Sequence, residues 1–148
     1  MMGYRSNVTY MIRFPSREIA KEFIAVQRLI PEIGDALNEL KYVDSAMPHI
    51  VGEFIGVKWY PEYEGVRNHV ALLGNAGDQG FAWAVVMVGD DAEDVETDHD
   101  DGEHPAYPQN AIISMCDELY VERRIRCSVN TDNSVSPIDF LLSEGEEA

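Results

Sequence analysis

The chain changes its hydrophobic period at one sharply marked point, and that change limits the folds open to it. In "NVTYMIRF", Val8, Tyr10, Ile12 and Phe14 share one parity, the pattern of a strand with one buried face. Pro15-Ser16 follows. Apolar residues then recur at Ile19, Phe23, Val26, Ile30, Ile33, Leu37 and Leu40, alternating steps of four and three that trace one helical stripe. The Ser16 hydroxyl suits the orphan amides of a first helical turn, and Glu18 complements the helix dipole. Pro31 removes an amide and clashes with the carbonyl four residues back, so the stripe predicts one helix followed by a shorter one.

The same two periods recur downstream. "KYVDSAMPHIVGEFIGVKWY" predicts two strands around a Ser-Ala-Met-Pro turn. In the second, Val51, Ile55, Val57 and Trp59 share one parity and Ile50 and Phe54 the other, with Gly52 and Gly56 placed for a bulge or a close crossing. Pro61 fits the first turn of a helix whose stripe is Tyr63, Val66, Val70 and Leu73, and "GNAGDQG" ends it. "FAWAVVMVG" predicts the central buried strand. After the irregular "HPAYPQNAIIS", "LYVERRIRCS" alternates as one more strand, with Tyr120, Glu122, Arg124 and Arg126 on one side. The order predicts an α+β fold: a ferredoxin-like βαββαβ antiparallel sheet with helices on one face, plus an added C-terminal strand. The expected organisation is a single domain over residues 1–138 and an acidic mobile tail over 139–148.

Charge narrows the partners. Among 148 residues, 27 acids face 11 Lys plus Arg, a formal net charge of −16. Such a field repels nucleic-acid phosphates and anionic lipids and favours basic partners. No apolar run approaches the ~20 residues that span a bilayer, and the N-terminus lacks the apolar centre of a signal peptide. Cys116 and Cys127 fit a reducing interior rather than a disulfide framework. Together these predict a cytoplasmic protein with no membrane partner.

The acids concentrate in "GDDAEDVETDHDDGEH", residues 89–104, where nine of sixteen are Asp or Glu. A calcium loop does not fit: with Gly102 as its glycine, Thr97 and His99 fall in early ligand positions and Pro108 replaces the bidentate Glu. His99 and His104 with Asp98, Asp100 and Asp101 lack the helical His spacing or Cys pairing of a zinc site, so neither metal nor cofactor is expected. The first half predicts a defined strand end and "TDHDDGEH" a solvated extension. Asp90, Asp91, Glu93, Asp94 and Glu96 are the candidate partner-binding residues, since spaced carboxylates imitate a phosphate row before a basic cleft. The alternative is an aromatic-basic face of Lys58, Trp59, Tyr60, Tyr120, Arg124 and Arg126, which would stack single-stranded DNA. Burial of Trp59 in the core competes with that reading. No catalytic residues are expected. Ser6, Ser114 and Ser128 lack a nucleophile elbow, and "GNAGDQG" follows a helix, the reverse of a dinucleotide fingerprint.

Four segments also carry a resemblance: "MGYRSNVTYMIRFPS" near the start, "VKWYPEYEGV" at 57–66, "FAWAVVMVGDDAEDVE" at 81–96 and "RRIRC" at 123–127. In this order they resemble a group of small proteins of tailed bacteriophages and prophages. Members open on Gly-Tyr-Arg-Ser, set Lys-Trp-Tyr before a helix, and end a strand in a Gly-Glu-Asp-like motif, here Gly89-Asp90-Asp91. The resemblance runs from Met2 to about Cys127 and implies phage origin, with no activity or catalytic residue attached. The resulting expectation is a non-enzymatic accessory protein whose acidic surface binds a host or phage macromolecule, such as an enzyme that handles nucleic acid or a defence component. Single-stranded DNA binding or a transcription cofactor role is the alternative, and an open strand edge permits a homo-oligomer.

Overall fold

The computed structural model describes residues 6–44, 47–60, 62–89, 95–108, 119–121, 125–127 and 134–145. Strands β1 (Ser6–Arg13), β2 (Lys41–Val43), β3 (His49–Val57), β4 (Ala82–Val88) and β5 (Val95–Asp100) form one sheet in the order β2-β3-β1-β4-β5. Every neighbouring pair is antiparallel. Helices α1 (Arg17–Arg28), α2 (Pro31–Leu37), α3 (Glu64–Asp78) and α4 (Pro137–Gly145) complete a mixed α+β fold with β6 (Leu119–Val121) and β7 (Ile125–Cys127). The middle strand is β1, not the "FAWAVVMVG" segment, which lies one place from the β5 edge.

Both faces of β1 are buried: Val8, Tyr10 and Ile12 on one parity, and Met11 with the polar Thr9 and Arg13 on the other. Tyr10, Ile12 and Phe14 join Phe23, Ile24, Ile33, Leu37, Leu72, Ala76 and Phe140 in the core between sheet and helices. On the other face Met11, Val51, Ala82, Ala84, Val86 and Val88 form a second cluster. The pair β6–β7 approaches β1 and β4. The "LYVERRIRCS" segment is therefore two short strands that pair with each other, not one added to the main sheet. Alternation continues unbroken through either arrangement, so it could not separate them. The fifth strand of the sheet is instead "VETDHD": it starts in the predicted strand end, at Val95 and Glu96, and continues through residues 97–100, which the sequence predicts as a solvated extension.

Local signals place the helix ends. Ser16 accepts from the Ile19 amide at 3.3 Å, and Pro31 opens α2 three residues after α1 stops. Within α1 itself the buried side is Ala20, Phe23, Ile24 and Gln27, so Val26, expected on the buried stripe, is 57% exposed; Ile30, at the break between the helices, is 41% exposed. In α3 the buried side is Val66, His69, Leu72 and Ala76, while Tyr63 and Val70 point outward. The helix also runs through "GNAGD" and stops only at Gly80, whose φ of 80° an L side chain rarely adopts. There the Phe81 amide donates to the Ala76 carbonyl and the Gly80 amide to that of Gly77, satisfying the last carbonyls in a Schellman closure. Pro61 lies outside the described residues.

A bulge sets the end of β3. Ser6 pairs with Val57 but Val8 pairs with Phe54, so β3 holds one extra residue. Gly56, at φ 65°, absorbs it and donates its amide to Asn7 Oδ1 at 2.9 Å. The extra residue reverses the parity downstream. Trp59 packs with Phe54 at 5.5 Å between ring centres, instead of sharing a face with the exposed Ile55.

At the C-terminal side, Val135 bridges Tyr42 of β2, and α4 then lays Phe140 into the core. Residues 139–145, expected within a mobile tail, belong to this helix. Residues 146–148 lie outside the described residues.

Candidate functional site

Between α3 and the β4–β5 part of the sheet runs an open groove of about 1000 Å³. Its apolar lining is Val70 and Leu73 from α3, Trp83, Val85 and Met87 from β4, and Trp59 beyond β3. Trp83, Val85 and Met87 alternate with the buried Ala84 and Val86, so the pleat of β4 turns one parity into the groove. Gly74 and Gly77 leave the α3 wall low. A Cβ at Gly77 would stand 3.4 Å from Trp83 Nε1, so the indole lies close to the helix there.

The acidic rim follows from strand register. Asp100, Asp98 and Glu96 pair with Trp83, Val85 and Met87. Directly opposed residues of an antiparallel pair share a face, so three carboxylates repeat every second residue along the groove, roughly 6.6 Å apart. Asp78 adds a fourth from α3, and among the described lining residues there is no Lys or Arg. An elongated apolar trough edged by carboxylates suits a cationic, partly apolar ligand.

Glu96 is the one predicted acidic residue seen here; it is exposed on β5 and lines the groove. Asp90, Asp91, Glu93 and Asp94 lie outside the described residues. Lys58, Trp59 and Tyr60 follow β3 and are half-buried, with the Trp59 ring near Tyr10, Phe54 and His69. Tyr120 and Arg126 are cross-strand partners in β6–β7, not neighbours on one strand, and Arg124 lies outside the described residues. Sequence reasoning missed Asp98, Asp100 and Trp83 as parts of one site. The signal was present: Glu96-Thr97-Asp98-His99-Asp100 alternates acid with non-acid at the period of a strand.

Behind Trp59 sits a polar relay, buried at Tyr10 and His69 and open to solvent at Glu39. The Tyr10 hydroxyl is 2.5 Å from His69 Nδ1, and His69 Nε2 is 3.1 Å from Glu39 Oε1. Burial pushes the Tyr10 phenol well above its usual range, with the Glu39 charge adding to the effect. Burial also lowers His69, against an opposing hydrogen bond and charge from Glu39. These directions fit a neutral imidazole that accepts from the Tyr10 hydroxyl and donates Nε2–H to Glu39. Tyr10 is fully closed to solvent, so the relay holds sheet to helix and presents no nucleophile. Among the described residues no group of three or more His, Cys, Asp or Glu is set to hold a metal ion, and no helix is long and apolar enough to cross a membrane. Comparison with family models, curated proteins and solved structures finds no match to this chain.

Proposed function

We propose that the protein is a binding module, not an enzyme, and that it holds a basic partner protein through the groove between α3 and β4–β5. The observation that carries this reading is the row Glu96, Asp98 and Asp100 set beside the Trp83, Val85 and Met87 floor. Apolar area supplies attraction, and the one-signed rim selects for cations and speeds encounter. Asp90, Asp91, Glu93 and Asp94 precede β5 in the chain and add to the local negative charge. The strand order β2-β3-β1-β4 with helices on one face supports a ferredoxin-like core to which β5 is added. The motif resemblance supports a phage accessory protein acting in the host cytoplasm. Its partner is then a host or phage protein with a basic, nucleic-acid-handling surface.

The test is a titration of the full chain against labelled polyarginine and labelled single-stranded DNA at low and moderate salt. Saturable, salt-sensitive polyarginine binding, weakened at least tenfold by a Glu96→Lys, Asp98→Lys double substitution, is expected. DNA binding with no response to polyarginine overturns the reading and favours the aromatic-basic alternative.

A further inference from the structure

We propose that β5 accepts an additional strand from its partner: an extended segment with Lys or Arg at alternate positions, whose cationic side chains lie over Glu96, Asp98 and Asp100. This rests on the acidic-groove reading and specifies how the partner is held. β5 ends the sheet order, with β4 as its one ladder partner among the described residues, and residues 96–100 are all exposed. An edge strand presents backbone donors and acceptors that pair readily with another extended chain. The His99 amide is bonded by the neighbouring Asp98 carboxylate at 2.9 Å. An arriving strand exchanges that local bond for an inter-strand one and releases the carboxylate to a cation.

Register makes the pattern specific. Residues directly opposite on an added strand share a face with Cβ atoms about 4.5–5.5 Å apart, so only every second partner residue meets the acidic row. Apolar stems of Lys or Arg would run across β5 toward Val85 and Met87, and a cation reaching Trp83 gains from the indole face. The same acids argue against a second copy of this chain as the occupant. Antiparallel edge pairing with helices on the same side would set Asp98 against Asp98 and Glu96 against Asp100, and opposed like charges destabilise a ladder. The row thus keeps like edges apart while favouring a basic one.

The probe is a fluorescent Arg-Thr-Arg-Val-Arg-Thr-Arg peptide, with an isomer in which the four Arg are contiguous. Two further versions carry N-methyl groups, one on the Arg amides and the other on the Thr and Val amides. Strand addition turns one amide set toward β5 and the other to solvent. One methylated peptide should therefore bind at least tenfold more weakly while the other keeps its affinity, and the alternating peptide should outbind its isomer. Asp98→Lys should weaken binding at least tenfold, whereas Glu22→Lys, the same charge change on exposed α1, should leave it within about twofold. Circular dichroism of each variant checks the fold. Equal binding of both methylated peptides and both isomers, with Asp98→Lys still weakening it, overturns strand addition and leaves the acidic-groove reading standing. Equal loss in Glu22→Lys, or no saturable binding of any basic peptide, overturns both.

Discussion

Tyr10 on the middle strand and His69 on α3 are joined by a hydrogen bond of 2.5 Å, and both side chains are closed to water. Tyr10→Phe removes the donor and leaves a buried ring nitrogen unsatisfied. The expected cost is about 1–3 kcal/mol of unfolding free energy, read from urea denaturation. In a His69→Leu background the same substitution should cost less, because the acceptor has gone. A double-mutant cycle with no coupling between the two would contradict the relay.

The relay also gives stability a pH dependence of known sign. Burial lowers His69 from the ordinary 6.5, with Glu39 opposing it. Above that value both folded and unfolded chains hold the imidazole neutral, and its contribution is fully present. As pH falls through 6.5 toward the lower folded value, the unfolded chain takes up a proton that the folded chain does not, so stability is lost. Urea midpoints should decline between about pH 7.5 and pH 5.5, above the range where most carboxylates titrate. His69→Gln should flatten this decline relative to wild type. An unchanged slope would remove His69 as its source.

Two glycines should respond to alanine with opposite signs. A Cβ at Gly74, inside α3, meets nothing within 4 Å, so Gly74→Ala gains helix propensity worth about 0.5–1 kcal/mol. Gly102 has φ 84°, and a Cβ there would stand 2.9 Å from the Ala82 amide nitrogen. Gly102→Ala should cost about 1–3 kcal/mol through strain at that backbone conformation. Thermal melts of the two variants, one raised and one lowered, check both signs.

What could be read from the chain alone was whatever is decided locally. Ser16 and Pro31 cap and break helices through their immediate neighbours, and the alternation in Val8, Tyr10 and Ile12 marks the core-facing side of β1. The rest depends on residues distant in sequence. Gly56 could be singled out for a bulge, but reversal of the Trp59 parity needs its pairing with Asn7 on another strand. β5 lacks apolar alternation because residues 96–100 are exposed on both parities, so charge masked a strand whose place is fixed by its register with β4. His69 was passed over as a core position because its burial depends on Tyr10, fifty-nine residues away. Of the candidate site, the acidic segment was legible; its tryptophan floor and helical wall were not, because the sheet and α3 assemble them from separate segments.

The C-terminal helix puts that dependence on distant partners to a direct test. Phe140 is 3% exposed, and its ring stacks on Tyr42 with centres 3.8 Å apart and planes 14° from parallel. The contact is locked from both sides: the Tyr42 amide and carbonyl bond to Val135, and the Asp139 amide donates to Ser136 Oγ at the start of α4. A segment that ends "SEGEEA" reads as a solvated tail, yet its apolar residues cover the β2 edge of the core. Phe140→Ala should cost about 3–5 kcal/mol, the usual range for emptying a buried aromatic site. That is a large part of the 5–15 kcal/mol that holds a typical domain. Asp139→Ala, at an exposed position of the same helix, should change stability by less than about 0.5 kcal/mol. Urea denaturation of the two variants separates a docked helix from a tail, since a tail would leave both near wild type.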